Sequence, residues 1–263
     1  MAFASILTKE ERKLSVLKQG SNEFMVIGGI LAGGLGTRMA GGGLPKQFLK
    51  VGGKPVIIRT LERFLNNRYI GKVVIAMNAD WMDHCREMIA EYGLDNERVS
   101  IIQGGESRFD SLLCLAKECA RIGDECGADD VLMINHDCAR PFVSDRILCD
   151  NITQMAEYDM ITTSVPTIDT VLLSKDGKVS DCVPDRPTVF LDQGPQTIRV
   201  GHFLKLVDTL TPEEQQKYIE AGRLYIEKGY RVGIVIGERE NFKLTTPFDL
   251  KLAEMLLMDN PTL

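Results

Sequence analysis

The chain has 263 residues, 44% hydrophobic and 26% charged, a composition that excludes disordered, collagen-like and disulfide-scaffold proteins. The length suits one or two domains, and an α/β fold of about 250 residues often forms a single core. A formal net charge of −6, from 31 basic and 37 acidic residues, leaves no basic excess for nucleic acid, so an anionic ligand must meet a locally basic site.

Residues 1–23 read as a polar N-terminal extension with Thr8 as a helix start, and residues 24–263 as a single domain. The N-terminus has no charged segment followed by a long apolar stretch, and no run of about 18 apolar residues occurs anywhere, so a cytoplasmic protein with no membrane contact is expected. Seven cysteines (85, 114, 119, 126, 138, 149 and 182) include no C-x-x-C pair and read as reduced, structural thiols.

Phe24–Leu31 (FMVIGGIL) is a short, uncharged apolar run ending in glycines, the pattern of a strand buried on both faces. Ile57, Ile58, Leu61, Phe64 and Leu65 then fall on one helical face. Strands are predicted at 72–77, 99–103, 131–135, 160–165 and 231–236, and helices at 80–92, 107–122, 144–157, 212–228 and 247–258. This alternation predicts an α/β fold: a Rossmann-like, mostly parallel sheet covered by helices on both faces, with its ligand crevice at the carboxyl ends of the strands.

Residues 165–193 break the alternation: they have no helical period and place Asp176-Gly177 between two alternating runs. That is a β-hairpin signal, with the arm at about 166–190. Its apolar face must be buried either on its own domain or on a second copy of the chain.

The first chemical motif is LAGGLGTRM (31–39) followed by LPKQFL (44–49). Gly33, Gly34 and Gly36 remove side chains where backbone N–H groups can approach phosphate oxygens. Arg38 and Lys46 bracket the loop, a planar fork and a compact charge for the same anion. The loop is neither a P-loop, since no Lys-Ser or Lys-Thr follows a glycine at the required spacing, nor a dinucleotide fingerprint, since Met39 stands where the third glycine belongs.

The strand at 131–135 ends in NHDCARPF (135–142), which puts His136 and Asp137 at a carboxyl strand end. A lone carboxylate there suits Mg2+, which takes one or two protein carboxylates plus phosphate oxygens; a helix cap is the plainer reading of Asp137. Cys138 has no base partner at readable spacing and reads as wall. QGGESRFDS (103–111) is a second glycine turn opening a helix, where Gly104, Gly105 and Ser111 suit a base or ribose, or simply start the helix.

These runs, together with DQGPQT and NFKLTTPFDLKLAE, resemble in order, over about residues 26–257, the cytidylyltransferases that make CDP-linked alcohols, such as the ribitol-5-phosphate and methylerythritol-phosphate enzymes. The resemblance implies the nucleotide-diphospho-sugar transferase type of α/β fold, and CTP held by Leu31, Ala32, Gly33, Gly34 and Gly36. It further implies transition-state stabilisation by Arg38 and Lys46, cytidine at Gly104, Gly105 and Ser111 beside Cys138, and Mg2+ on Asp137. Arg186 and Lys243 match the positions that grip the acceptor phosphate, with Thr170 nearby, and the arm implies a homodimer in which each copy helps complete the other's site.

DWMDH (80–84), LTPEEQQ (210–216) and TTPFDLK (245–251) look closer to the ribitol-phosphate enzymes, so D-ribitol 5-phosphate is the expected acceptor and 2-C-methyl-D-erythritol 4-phosphate of isoprenoid synthesis the alternative. Two departures leave room for another polyol phosphate: Gly194 replaces the family's threonine before Pro-Gln, and Ile219-Glu220 stands where its Thr-Asp opens a helix. A nicotinamide-dependent oxidoreductase is disfavoured by the absent third glycine. A non-catalytic nucleotide-binding protein differs from the enzyme in releasing no pyrophosphate.

Overall fold

The computed structural model describes residues 16–19, 22–34, 44–94 and 96–260. The strands are β1 (Val16–Gln19), β2 (Asn22–Leu31), β3 (Lys50–Val51), β4 (Lys54–Pro55), β5 (Lys72–Met77), β6 (Val99–Gln103), β7 (Asp130–Asp137), β8 (Met160–Pro166), β9 (Phe190–Arg199) and β10 (Val232–Ile236). The helices are α1 (Val56–Asn66), α2 (Met82–Glu91), α3 (Arg108–Cys126), α4 (Asp145–Thr153), α5 (Val200–Val207), α6 (Pro212–Gln215), α7 (Ala221–Glu227) and α8 (Pro247–Asp259).

The main sheet runs β10-β8-β9-β7-β2-β5-β6, with β3 and β4 forming a separate pair. β2 explains the uncharged run at its centre: Val26 and Ile30 enter one apolar cluster while Met25 and Ile27 enter the other. α1, α2, α4 and α8 cover the first face through Leu61, Cys85, Ile147 and Leu257. α3, α5 and α7 cover the second through Leu115, Phe203 and Leu224. β2 is parallel to β5 and β7, β5 to β6, and β8 to β10, so the sheet is mostly parallel and double-sided as the alternation predicts.

Three details differ from the sequence expectations. β9 runs antiparallel to both β7 and β8 and extends to Arg199, and its ladder with β8 shifts between Thr162 and Ser164, next to Pro195, which has no N–H to donate. The helix expected over 212–228 is two, because Glu220 has extended backbone and its carboxylate accepts from the N–H groups of Gly222 and Arg223 to start α7 afresh. The segment read as an N-terminal extension contains β1, which pairs antiparallel with β2 from Gln19↔Asn22 to Val16↔Met25; Gly20-Ser21 between them is a hairpin signal that the polar composition masks.

β8 and β9 continue outward into the arm, residues 167–189, which carries one isolated bridge between Leu173 and Cys182. Its tip is the Asp176-Gly177 turn, with Gly177 at φ 70° and the Asp176 carboxylate accepting from the N–H groups of Lys178 and Val179. All seven cysteines are free thiols. Among the described residues no helix is long and apolar enough to cross a membrane.

Candidate active site

The carboxyl ends of β2, β5 and β7 are tied together just where their loops depart. Ala32 N–H donates to Ala76 O at 2.8 Å and Cys138 N–H to Leu31 O at 3.0 Å. The buried Gln47 side chain donates to Ala32 O at 2.9 Å, which fixes the start of the glycine loop from behind. Gly36 and Arg38 lie outside the described residues.

The two glycine turns need their glycines for different reasons. A Cβ on Gly105 would lie 2.2 Å from the Asp110 Cβ, and one on Gly104 would lie 2.9 Å from the Ser111 Oγ, so packing against the first turn of α3 excludes a side chain. That turn is locked by a reciprocal cap between Ser107 and Asp110, and the Ser111 hydroxyl accepts from Gly105 N–H at 3.1 Å. Gly33 and Gly34 are exposed, neither has positive φ, and a Cβ on Gly34 would meet nothing within 4 Å. Among the described residues neither packing nor backbone conformation demands glycine at Gly34, so the position is open to the approach of a ligand.

Asp137 ends β7 with its side chain only 15% exposed. Lys243 donates to its Oδ2 at 2.7 Å, Arg108 reaches Oδ1 through Nη2 at 3.3 Å and Nε at 3.4 Å, and Arg140 Nε lies 3.8 Å from Oδ2. Burial opposes ionisation of this carboxyl most strongly, but Arg108 and Lys243 outweigh it and hold Asp137 below the usual carboxylate range. Lys243, Arg108 and Arg140 gather three cations around Asp137, the kind of local positive charge that an anion needs in a chain of net charge −6, with Glu106 on the cleft wall and Asp192 near the two arginines as the opposing carboxylates.

Around this centre, Lys46 Nζ donates to Leu244 O at 3.3 Å, and Leu244 N–H donates to Ala139 O at 2.8 Å, which straps the segment carrying Lys243 over the end of β7. Burial pushes the His136 imidazole down to about 4, so it is neutral at pH 7, with Nε2 3.0 Å from Arg140 O. Burial likewise pushes the Cys138 thiol up, away from the thiolate that nucleophilic attack needs.

A cleft of about 250 Å³ brings together Leu31, Ala32, Gly33, Gly34, Lys46, Gly105, Ser111, Asp137, Cys138 and Lys243. Gly104 sits behind it, its N–H donating to Met77 O at 2.8 Å. Thr170 and Arg186 do not line this cleft: both are exposed on the arm, where Arg186 Nη1 lies 3.5 Å from Ile168 O. Sequence reasoning missed Arg108, Arg140 and Gln47 as site residues. Each stands inside a quoted motif, but its partner there is set by folding and not by spacing.

Among the described residues no group of three or more His, Cys, Asp or Glu could hold a metal ion. The donor set fits an ion that arrives with its own phosphate ligands and takes one carboxylate from the protein. The cations around Asp137 suit chemistry on a phosphate-bearing ligand, stabilised by placed charge.

The family model for IspD, 2-C-methyl-D-erythritol 4-phosphate cytidylyltransferase, matches residues 25–259. Solved structures share the fold. The 4-diphosphocytidyl-2C-methyl-D-erythritol synthase of Anaerococcus prevotii is 22% identical with a TM-score of 0.71, over 89% of this chain and 96% of that one. The 2-C-methyl-D-erythritol 4-phosphate cytidylyltransferase of Francisella tularensis is 24% identical with a TM-score of 0.69, over 89% and 99%. The enzyme of that name from Thermus thermophilus is 25% identical with a TM-score of 0.63, over 89% and 100%. These matches support the cytidylyltransferase resemblance and give no support to the lean toward ribitol phosphate within it.

Proposed function

The chain belongs to the IspD family of cytidylyltransferases, and from that premise we propose that it transfers CMP from CTP to 2-C-methyl-D-erythritol 4-phosphate, releasing pyrophosphate. The observation that carries the chemistry is the ring of Lys243, Arg108 and Arg140 around Asp137 at the mouth of the glycine turns. An acceptor phosphate oxygen attacks the α-phosphorus of CTP; the new P–O bond forms as the bond to the pyrophosphate oxygen breaks. A phosphate monoester has a second pKa of about 6, so the nucleophile is ionised at pH 7 and needs no general base. This agrees with a neutral His136 and a protonated Cys138.

The difficulty is bringing two anions together, which calls for cations where charge accumulates. Gly33 and Gly34 open the backbone to the triphosphate, Lys46 and Arg38 neutralise it, and Gly104, Gly105 and Ser111 shape the cytidine side. Asp137 would hold Mg2+ brought in with the nucleotide, and that ion would supply positive charge to the reacting phosphates. Lys243 grips the acceptor phosphate. Thr170 and Arg186 reach the acceptor from a second copy, in a homodimer formed through the arm, where Ile168, Leu172, Leu173, Val179 and Val183 are exposed.

Ribitol 5-phosphate is the second acceptor reading, resting on the runs at 80–84, 210–216 and 245–251, while Gly194 and Ile219-Glu220 depart from the family at the acceptor side and leave room for another polyol phosphate. Pyrophosphate release from CTP and Mg2+ with each polyol phosphate tests both. The methylerythritol phosphate should give the highest kcat/KM. A tenfold preference for ribitol 5-phosphate would overturn the acceptor assignment and keep the reaction, whereas no release with any acceptor would overturn the reaction.

A further inference from the structure

Lys243 reaches Asp137 on a long, flexible stem, so where its ammonium stands depends on how its own backbone is held. That backbone belongs to residues 237–246, which join β10 to α8 with no strand or helix of their own. Downstream of Lys243 the chain is fixed by two elements. Leu244 N–H donates to Ala139 O at 2.8 Å, and the N–H groups of Thr245 and Thr246 donate to the Asp249 carboxylate at 2.8 and 2.7 Å, in the cap of α8.

Upstream, the anchor is Asn241. It is fully buried, an uncommon place for an amide in a connecting segment. Its Nδ2 donates to Gly194 O on β9 at 2.9 Å, its backbone carbonyl accepts from Arg140 Nη1 at 2.9 Å, and its N–H donates to Glu238 O at 3.1 Å. Oδ1 has no partner among the described residues, so the bond to β9 is what the amide contributes. Phe242 adds an apolar hold, its ring centre 5.7 Å from that of Phe142.

The acceptor of that bond is as particular as the donor. Gly194 has φ 66°, a left-handed conformation that favours glycine, whereas a Cβ there would make only ordinary contact, 3.6 Å from His136 Nδ1. Backbone conformation and not space therefore asks for glycine, and the carbonyl that this glycine presents is the one Asn241 binds. A leucine in place of Asn241 would keep the bulk and leave Gly194 O without that donor.

We propose that Asn241 is a positioning residue: its bond to Gly194 O fastens the connection between β10 and α8 to β9, and so sets where the Lys243 ammonium stands against Asp137. Asn241 is not among the residues lining the cleft and acts through Lys243 alone. That Lys243 grips an acceptor phosphate rests on the function proposed above; the anchor does not.

The test has two arms, both on the full-length protein. In the first, hydrogen exchange read by NMR without substrate compares wild type with Asn241→Leu. Loss of the bond should speed exchange of the Leu244 amide about tenfold, with the amides of β7 and α8 unchanged. Unchanged exchange at Leu244 would overturn the anchor. So would equally faster exchange throughout the chain, which marks a residue serving overall stability only. Asn241→Ala removes the same donor and decides the matter should Asn241→Leu not fold.

In the second arm, pyrophosphate release at saturating CTP gives the acceptor kcat/KM of Asn241→Leu, Lys243→Met and the double variant. Asn241→Leu should lower kcat/KM about tenfold in the wild-type background, chiefly by raising the acceptor KM, and by less than about twofold in the Lys243→Met background. No loss in the wild-type background, or equal losses in both, would overturn a role exerted through Lys243. A wild-type enzyme inert with every polyol phosphate would overturn the proposed function, while the exchange arm would still decide the anchor.

Discussion

Lys46 and Cys138 face the same cleft, and their chemistry predicts opposite responses to truncation. Lys46 places an ammonium in the cleft, anchored on Leu244 O, and in the proposed reaction it would meet the charge that develops on the leaving pyrophosphate. Removing one preorganised group of this kind costs about 10²–10³ in rate, so Lys46→Ala should lower kcat by that factor while the melting temperature moves by only about 2 °C. Cys138 is buried, and burial raises its thiol, so it contributes shape and no nucleophile. Cys138→Ala should keep kcat within about threefold of wild type, the small volume change being felt mainly as stability. Pyrophosphate release and thermal unfolding of both variants check the pair; a hundredfold loss in Cys138→Ala would put the thiol into the chemistry.

At the scale of the element, the two glycine turns predict another contrast. Gly105→Ala drives a methyl into the first turn of α3 and should lower the melting temperature by about 5 °C, as forced overpacking does. Gly34→Ala meets nothing among the described residues, so it should leave the melting temperature within about 1 °C and, if the triphosphate lies where proposed, raise the CTP KM about tenfold. A Gly34→Ala variant with unchanged CTP KM would show that the triphosphate does not approach there. The same turns show how far the sequence could be read. β2 and its glycines were legible because a strand covered on both faces must be uncharged, and the ends of β5, β6 and β7 followed from similar runs. The break between α6 and α7 was not legible: it depends on Glu220 turning its carboxylate back to cap a new helix, and the apolar spacing through Tyr218, Leu224 and Tyr225 suits a continuous helix equally well. Nor was the role of Arg108, whose partners lie 29 and 111 positions away and become neighbours only when α3, β7 and the 216–220 segment pack.

At the scale of the whole molecule, the proposed dimer makes the arm the element that would complete a site. Within a single chain Arg186 and Thr170 stay on the arm, away from the cleft that holds Lys46, Asp137 and Lys243. The arm also exposes Leu172, Val179 and Val183 to solvent, a cost that a second copy would remove. If Arg186 serves the partner's cleft, a Lys46→Ala chain has a sound arm and a damaged centre, and an Arg186→Ala chain has the reverse. A mixed dimer then contains one site built from the sound centre of one chain and the sound arm of the other. Random exchange makes about half the dimers mixed, each with one of its two sites intact, so equal mixing of two weak variants should recover about a quarter of wild-type activity. Alone, Arg186→Ala should raise the acceptor KM more than it lowers kcat if Arg186 grips the acceptor phosphate as proposed, because that group is present in ground and transition states alike. The measurement is pyrophosphate release at saturating CTP and limiting acceptor, after co-expression or denaturation and refolding of the mixture. Activity equal to the mean of the two variants would mean that each arm serves its own chain, and the exposed apolar arm would then need another explanation.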